Sequence, residues 1–439
     1  MNERSFSLYL HGMKFVNGKI HSMLSPIEAY IRKHLRFNFI IGMFDGGFFG
    51  FGVGFASFAA VIPLFVHHMT ESALLIGLVP AIHNIGWQLP QLFTAGWVAR
   101  ARRYKPLVLW MTISERVPYL GLAVVAFILP QITKSNALAL TFLMLIWQGF
   151  GAGFAANPWT SMVSKIMPDE LHGTFFGTQA AAYNGMAGLS AILAGLILAK
   201  IAGPLNFSLC FALTFVWMAV SFVFLSVTRE PESQPRADVH RGAFWKRSVE
   251  ILKSDSNFRS FLFVRVLSQF AGMGFAFYVI YAVKQFGMSE ATASAMVSVL
   301  LIGQIVLSPV MGRWGDRWSH GGVMALGALG AAFSAFLCWQ ATSVNWFYAI
   351  FLLEAAAIVA IWTIPLAFSV SFARMAEDRP IYIGLANTVP APATILAPVL
   401  GGWLADTAGF DITFMLSAAS GLLMAAALWL FVRDPSRNQ

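Results

Sequence analysis

Long apolar runs separated by short polar loops make up most of the chain. Twelve of these runs are long enough, at ~1.5 Å per helical residue, to cross the ~30 Å hydrocarbon core of a bilayer. Helices are the expected form, because a helix satisfies its own backbone hydrogen bonds in lipid. The predicted spans 1 to 12 are residues 37–66, 73–99, 106–129, 137–160, 174–199, 205–228, 260–284, 291–312, 321–341, 345–372, 382–405 and 411–432.

One long polar connection divides the spans into two groups of six. The predicted organisation is a tail at 1–36, a first bundle at 37–228, a linker at 229–259, a second bundle at 260–432 and a tail at 433–439. The pattern therefore predicts an all-α membrane protein with twelve transmembrane helices in two six-helix bundles.

Part of the first bundle recurs in the second, which makes the two bundles pseudo-symmetric. Residues 158–207 align with residues 365–414 after a shift of 207 positions. The matched pairs are Pro158 and Pro365, Glu170 and Glu377, Gly177 and Gly384, Gly195 and Gly402, and Phe207 and Phe414. Repeats of this kind are typical of transporters built from two similar halves.

Composition supports a membrane protein and excludes several other classes. Of the 439 residues, 58% are hydrophobic and 11% are charged, which leaves too little polar surface for a soluble protein of this length. The formal net charge of +9 does not indicate nucleic-acid binding, because the basic residues are spread over many short loops. Cys210 and Cys338 lie within apolar runs and predict no disulfide framework. No metal-ligand spacing, nucleotide-binding loop or nucleophile–base arrangement is present, so we expect no cofactor, no metal and no enzyme activity.

Lys and Arg residues are divided very unequally between the two ends of the spans. Of the 29, 24 lie in the tails, the linker and the loops on their side, and only Lys134, Lys200 and Lys284 lie in loops on the opposite side. Basic residues accumulate in cytoplasmic loops. We therefore expect both termini and the linker to be cytoplasmic, in a multi-pass protein of the plasma membrane or the bacterial inner membrane.

The loop between spans 8 and 9 carries the most specific motif, Gly312-Arg-Trp-Gly-Asp316-Arg317. It resembles the cytoplasmic loop signature of the major facilitator superfamily, although Ser319 stands where the signature has a second glycine. We expect Gly312 to allow close helix approach, and Asp316 to pair with a basic partner or a helix N-terminus when the cytoplasmic side is shut. An ordinary charged loop is the alternative. In the corresponding loop of the first bundle, Arg100 occupies the position of the aspartate, so a second lock would need another acid.

This resemblance implies a secondary active transporter that moves a small organic solute by alternating access, with protons as the coupling ion. It implies a monomer surrounded by membrane lipid, in which spans 1, 4, 7 and 10 line a central cavity and the outer spans 3, 6, 9 and 12 support them. Two other functions remain open: a flippase for lipids or lipophiles on the same fold, and a non-transporting assembly or sensor protein. Lipid transport without a proton gradient would indicate the first. A co-purifying partner without solute transport would indicate the second.

Five ionisable residues lie within the predicted spans, where a charge at mid-depth costs at least ~2.5 kcal/mol. Asp45 in span 1 and Arg265 in span 7 occupy pseudo-equivalent helices. One hypothesis is that they pair across the boundary between the bundles and that protonation of Asp45 weakens the pair. The alternative is that Arg265 extends to the cytoplasmic surface while Asp45 caps a local kink. Glu115 and Arg116 point about 100° apart on span 3, so we expect them to fasten span 3 to its neighbours rather than to pair; a proton relay to Asp45 is the alternative.

Glu354 in span 10 is the fifth ionisable residue, and small residues flank it on a helix expected to line the cavity. A carboxyl there suits a proton carrier or a group that recognises cationic substrates, and a hydrogen bond to a neighbouring helix is the alternative. The uncharged cavity candidates are aromatic or amide side chains on spans 4, 7 and 10, namely Trp147, Gln148, Asn157, Gln269, Tyr278, Tyr281 and Trp362. Pro365 is expected to kink span 10.

Overall fold

The computed structural model describes residues 25–58, 60–232, 241–288 and 290–435. Within these ranges the regular secondary structure is helical and no strand occurs. Eleven helical segments of the described chain are long and apolar enough to cross a membrane. The helices Ala73–Gln88 and Gln91–Val98 together supply the remaining span, span 2. The predicted all-α architecture is confirmed.

The structural bounds of the spans extend or interrupt the predicted ones. In the first bundle, span 1 is Pro26–Phe55 followed by Val61–His67, span 3 is Lys105–Gln131, span 4 is Lys134–Ile166, span 5 is Asp169–Lys200 and span 6 is Leu205–Ser226. In the second, span 7 is Ser256–Phe286, span 8 is Glu290–Arg317, span 9 is His320–Gln340, span 10 is Trp346–Ser371, span 11 is Ala376–Thr407 and span 12 is Phe410–Phe431. The helix Arg241–Ser254 lies in the linker.

Span 1 begins at Pro26, within the predicted N-terminal tail. Ser25 caps the helix: its hydroxyl accepts the Glu28 amide, and the Glu28 carboxylate accepts the Ser25 amide. This reciprocal capping box, with proline at the first helical position, is a strong helix start. The apolar pattern marks where span 1 becomes hydrophobic, which is not where the helix begins.

Proline and glycine interrupt four of the spans. Span 2 is interrupted at Pro90 and span 11 at Pro390, and a second helix begins at the next residue in each. Proline causes the interruption because it lacks the amide that continues the helical hydrogen bonds. Span 10 contains a π-helical turn, Val359–Thr363, two residues before Pro365. At the position where a kink was expected, the helix is therefore interrupted by a π-helical turn. Span 7 unwinds after Gly272 and resumes as a second helix.

The two bundles meet along two seams. Span 5 packs against span 8, and span 2 packs against span 11. Glycine makes the first seam tight, since a Cβ on Gly312 would lie 2.0 Å from the carbonyl oxygen of Gly173. The close approach predicted at Gly312 is confirmed.

The ends of spans 6 and 12 are fastened by the same pair of contacts. The backbone of Arg229 exchanges hydrogen bonds of 2.8 and 2.9 Å with the Asn38 side chain. The backbone of Arg433 exchanges two hydrogen bonds of 2.7 Å with the Asn257 side chain. Because Asn38 lies in span 1 and Asn257 at the start of span 7, each bundle ties its last span to its first. We call this end of the molecule the tail side.

An acid followed by proline completes each of these fastenings. Glu230 accepts two backbone amides at the start of span 3, at 2.7 and 2.8 Å, and its Oε1 lies 2.8 Å from Lys165 Nζ. Asp434 accepts the Ser319 hydroxyl at 2.6 Å and the Gly321 amide at 3.3 Å, at the start of span 9. Each carboxylate stabilises unpaired amides at a helix N-terminus, so both bundles present a rigid tail side to the seams.

Candidate functional site

A cluster of ionisable side chains lies inside the first bundle, where spans 1, 3 and 6 meet. Buried Asp45 accepts the Ser221 hydroxyl at 2.7 Å through Oδ1. Buried Arg116 donates from Nη2 to Ser221 Oγ at 3.2 Å and from Nε to the Met218 carbonyl at 3.0 Å. Glu115 lies beside it, with 3.7 Å between Oε2 and Arg116 Nη1. We call Asp45, Glu115, Arg116 and Ser221 the acid cluster; in it, two carboxyl groups share one guanidinium.

The contact between Glu115 and Arg116 corrects the prediction that these neighbours do not pair. Their Cβ atoms diverge on the helix, but the long Arg116 side chain turns so that one amine reaches Glu115. Its other donors reach span 6, so span 3 is also fastened to a neighbour as predicted. The Ser221 hydroxyl links Arg116 to Asp45, which is the connection that the relay alternative requires.

The predicted pairing of Asp45 with Arg265 is wrong. Arg265 is 3% exposed and faces spans 10 and 11 within its own bundle. It donates to the carbonyl oxygen of Ile361 at 2.6 Å through Nη1 and to that of Ala386 at 3.4 Å through Nε. Its burial also excludes the alternative that it extends to the tail-side surface. Arg116 and Arg265 each find their hydrogen-bond acceptors within their own bundle, so no ion pair joins spans 1 and 7 at these residues.

Asp316 closes the seam between spans 5 and 8 on the tail side. Its carboxylate oxygens accept the backbone amides of Gly173 at 2.7 Å and Thr174 at 2.5 Å, in the first turn of span 5. A carboxylate is favourable there, because these amides lack helical partners and the helix dipole is positive at this end. Asp316 thus has the predicted helix N-terminus as its partner. His320 Nε2 lies 3.3 Å from its Oδ1, and Arg317 is the exposed last residue of span 8.

A different contact forms in the pseudo-equivalent loop of the first bundle. Arg100 donates back to the Gly96 carbonyl at 2.8 Å. Under the 207-residue shift, the position that corresponds to Gly173 at the start of span 11 is Pro380. Proline has no amide to donate, so an acid at position 100 would have lost this partner. The arginine at position 100 and the proline at position 380 are therefore consistent with each other, because neither side of this contact retains the group that Asp316 and Gly173 use.

Uncharged polar side chains close the second seam. Asn387 of span 11 donates to the Gln91 side chain of span 2 at 2.8 Å, and Thr394 donates to Gln88 at 3.1 Å. Asn157 reaches from span 4 to a backbone carbonyl of span 11 at 2.8 Å. We call these five residues the amide seam. The hydrogen bonds of the amide seam join neutral groups, and next to them Arg379 of span 11 pairs with Asp169 at 3.0 Å.

Solved structures of low sequence identity share this architecture. FucP, a Major Facilitator Superfamily transporter crystallised in the outward conformation, superposes with a TM-score of 0.71 at 14% identity, over 90% of this chain and 99% of its own. A bacterial homologue of the iron transporter ferroportin, in an outward-facing state, gives 0.70 at 14% identity, over 90% of this chain and 98% of its own. Residues 261–439 match the sequence model of the Major Facilitator Superfamily. The second half of the chain is thus similar in sequence to the Major Facilitator Superfamily, and the chain as a whole has the fold of FucP.

Two relatives come from Bacillus subtilis strain 168. Multidrug resistance protein 1 is 28% identical over 151 residues, which are 34% of this chain and 38% of the relative. Multidrug resistance protein 2 is 26% identical over 182 residues, which are 40% of this chain and 44% of the relative. The chain thus aligns with less than half the length of either relative.

Tyr278 and Tyr281 pack inside the second bundle and do not line a central cavity. Tyr278 is fully buried, and its hydroxyl lies 3.0 Å from the Ser334 hydroxyl of span 9. The Tyr281 ring packs against Phe410 and Phe414 of span 12. The prediction treated span 7 as one continuous helix. The unwound segment before Tyr278 changes the helical phase, so the two tyrosines face spans 9 and 12.

Glu354 also faces the inside of the second bundle. It is 4% exposed and interacts electrostatically with Tyr278 of span 7 and Cys338 of span 9. This corrects the expectation that it lines the central cavity, because its neighbours Tyr278 and Cys338 are buried inside the second bundle. Its Oε2 has no hydrogen-bond partner among the described residues, so it remains a candidate for carrying a proton.

Asn157 and Gln269, two of the amide candidates, lie at the seam. Gln269 Oε1 accepts the Thr394 hydroxyl at 3.2 Å, and the same hydroxyl reaches Gln88. Both candidates therefore take part in closure between the bundles.

The remaining three candidates lie on spans 4 and 10. Gln148 is buried, with its Oε1 3.0 Å from His83 Nδ1 of span 2. Trp147 and Trp362 are 42% and 37% exposed, and Trp147 donates to the Ser114 hydroxyl at 2.9 Å. The two indoles offer apolar surface to a ligand or to lipid.

Sequence reasoning missed Ser221, Gln91 and Asn387. A serine in an apolar run carries no distinguishing signal, because its hydroxyl most often bonds to its own helix. A signal did exist for the two amides, since each lies within three residues of a proline that interrupts an apolar run, Pro90 or Pro390. An amide beside such a break has carbonyls and neighbouring helices within reach.

Proposed function

We propose that this protein is a proton-coupled secondary transporter that moves a small organic solute across the membrane by alternating access. The observation that carries this proposal is the acid cluster, in which Glu115 lies 3.7 Å from the Arg116 guanidinium and Asp45 is joined to the same guanidinium through the Ser221 hydroxyl. A buried carboxylate without its own cation is costly in a membrane, so protonation of one acid relieves the site. A group that takes up and releases a proton inside a bundle is what proton coupling requires. FucP, which has the same fold, is described as a fucose:proton symporter.

The groups that face the two acids come from several spans and set their proton affinity together. Asp45 faces Ser221 and Arg116, and the indole of Trp159 on span 4. Glu115 faces Arg116 and lies near the hydroxyls of two tyrosines, Tyr119 on span 3 and Tyr183 on span 5. Arg116 is the single cation in this set, so one proton on either acid balances its charge.

The acid cluster is connected mechanically to the contact that must open. Span 1 packs along span 5, where Gln179 Nε2 donates to the Gly42 carbonyl at 3.0 Å. A Cβ on Gly50 would lie 2.3 Å from a carbonyl oxygen of span 5, so the two helices cannot slide independently. Span 5 begins at the amides held by Asp316. A shift of span 1 when Asp45 is protonated therefore reaches the tail-side contact.

The described conformation corresponds, in this proposal, to an outward-facing state with the cytoplasmic side closed. Described hydrogen bonds between the bundles extend from the tail side to about mid-depth, where Asn184 donates to Gln304 at 3.3 Å. The excess of Lys and Arg assigns the tail side to the cytoplasm. FucP and the ferroportin homologue, both outward-facing, superpose on this chain.

An amphipathic or aromatic organic compound is the substrate class that we propose. The indoles of Trp147 and Trp362 offer exposed apolar surface, and Gln88, Gln269 and Thr394 offer amide and hydroxyl groups at the inner end of the closed seam. The names of the two Bacillus relatives, multidrug resistance proteins, agree with such a compound.

The test uses purified protein in proteoliposomes with a fluorescent cationic dye, ethidium, as the probe. In the wild type, an imposed pH gradient should change the rate of dye movement. Asp45→Asn should abolish that response, by at least about tenfold, or ~1.4 kcal/mol, while gradient-free exchange of the dye persists. Asp406→Asn, which removes an exposed acid near the opposite end of span 11, is the control and should behave as wild type. Unchanged gradient dependence in Asp45→Asn would refute the coupling role.

A further inference from the structure

The Arg265 side chain donates hydrogen bonds at the helix interruptions of both span 10 and span 11. Arg265 donates to the carbonyls of Ile361 and Ala386, at 2.6 and 3.4 Å. Each of these carbonyls lies four residues before a proline, Pro365 or Pro390. In a regular α-helix they would accept the amides of residues 365 and 390, but proline has none. Arg265 therefore supplies donors at the two positions where the helices lack their own.

The need is mutual, because both partners are buried. Arg265 is 3% exposed, and its charge is separated from water without a neighbouring acid to compensate it among the described residues. An unpaired carbonyl inside a membrane protein is unfavourable, and an unpaired guanidinium is more unfavourable still. The planar fork of arginine can reach two acceptors at once, whereas the ammonium of lysine is a single point charge. Removal of Arg265 would leave both breaks without a donor.

The two breaks lie at positions that bear on closure of the seam. Ala386 directly precedes Asn387, which donates to Gln91 across the boundary between the bundles at 2.8 Å. Ile361 lies within the π-helical turn of span 10. Arg265 thus connects the bend of span 10 to the tail-side segment of span 11, Arg379–Thr388, which carries part of the amide seam.

We propose that Arg265 is a positioning residue that couples the two proline breaks, so that spans 10 and 11 bend together. The contact of Asn387 with Gln91 then forms only while span 10 keeps its present π-helical turn. The consequence for solute movement rests on the proposed transport function. The coupling itself is a property of the bundle and is measurable without any substrate.

The readout is the separation of spans 2 and 11 at the tail side. Spin labels attached through Arg100→Cys and Ala376→Cys, both at exposed positions, report the distance across the seam in full-length protein. The native cysteines are replaced by alanine. This measurement detects a failure of coupling even if the dye assay shows no transport, so the two proposals fail separately.

The variants form a mutant cycle that removes the Arg265 donors and restores the backbone amides that the two prolines lack. Arg265→Met should raise the population with the seam open by about tenfold, since a coupled contact of this kind contributes about this much. Pro365→Ala together with Pro390→Ala gives the helices back their own amides. In the Arg265→Met background these two changes should restore at least half of the closed population. Arg265→Lys, which keeps the charge and reaches one acceptor, should fall between wild type and Arg265→Met.

Pro398, another proline of span 11, provides the matched control. The carbonyl four residues before Pro398 belongs to Thr394, which Arg265 does not contact. Pro398→Ala should therefore give no recovery in the Arg265→Met background. Equal recovery with Pro398→Ala, no recovery with the Pro365 and Pro390 changes, or an unaltered distance in both Arg265→Met and Arg265→Lys would overturn the proposal.

Discussion

Arg116 and Arg265 show two ways to keep a guanidinium inside a membrane protein. Arg116 lies among two carboxyl groups and a hydroxyl, so its surroundings can change charge. Arg265 is held by two backbone carbonyls, whose dipoles are fixed. A site with excess acid suits a group that binds and releases a proton, and a site of fixed dipoles suits a structural joint. The first bundle therefore carries the titratable chemistry of our proposal, and the second carries a joint.

Ser221 is the residue through which the acid cluster is tested most directly. Ser221→Ala removes the hydroxyl that donates to Asp45 and accepts from Arg116. Hydrogen bonds to charged groups contribute about 1.5–3 kcal/mol each, so we expect a clear fall in the melting temperature of the purified protein. Ser221→Thr, which keeps the hydroxyl, should retain most of the stability.

The matched control for this change is Ser226→Ala on the same span. The Ser226 hydroxyl is exposed and bonds to a carbonyl of its own helix, at Val223. Its loss should alter the melting temperature little. Equal destabilisation by Ser221→Ala and Ser226→Ala would show that the hydroxyl inside the acid cluster has no special role.

At the scale of helices, the tail side is closed by contacts that differ between the two seams. The start of span 5 offers amides, and Asp316 accepts them. The start of span 11 carries Pro380 at the corresponding position, and here side-chain amides take over the closure. The repeat in the sequence thus preserves the helices but not their contacts. The Asp316 carboxylate closes one seam; amide side chains close the other, next to an ion pair of 3.0 Å between Arg379 of span 11 and Asp169.

Asp316→Asn should loosen the start of span 5. The substitution removes the negative charge and one of the two carboxylate acceptors for the amides of Gly173 and Thr174. A carboxylate at a helix N-terminus contributes about 1 kcal/mol, so hydrogen exchange at these two amides should accelerate about fivefold. Mass spectrometry of the peptide that contains them measures this rate.

Arg317→Gln is the control for this helix-end effect. Arg317 is adjacent in sequence but exposed at the end of span 8. It should leave exchange at the start of span 5 unchanged. If both variants accelerate exchange alike, or neither does, the Asp316 contact does not stabilise that end of span 5.

For the whole molecule, the sequence was sufficient for some features and insufficient for others. The helices, their number and the close approach at Gly312 could be predicted, because span length and small residues are local properties. The direction in which each buried polar side chain points could not be predicted, as Asp45, Glu354 and Tyr278 show. Internal breaks change the helical phase, and a half-turn of rotation moves a side chain from the seam to the bundle interior. The duplicated Arg-acid-Pro ends of spans 6 and 12 were present in the sequence, but their role depends on asparagines about 180 residues away.

Sidedness is the property on which the mechanism of the whole molecule depends, and it can be measured directly. We expect the tail side to face the cytoplasm, because 24 of the 29 Lys and Arg residues lie there or in connected segments. Single cysteines at Lys134 and Lys200, both exposed on the opposite side, should react with a membrane-impermeant maleimide in intact cells. A cysteine at exposed Lys246 in the linker helix should react only after the cells are permeabilised. Buried Cys210 and Cys338 give the background. The reverse pattern would place the Asp316 contact on the outside, and the described conformation would then be open toward the cytoplasm, with protons entering the acid cluster from that side.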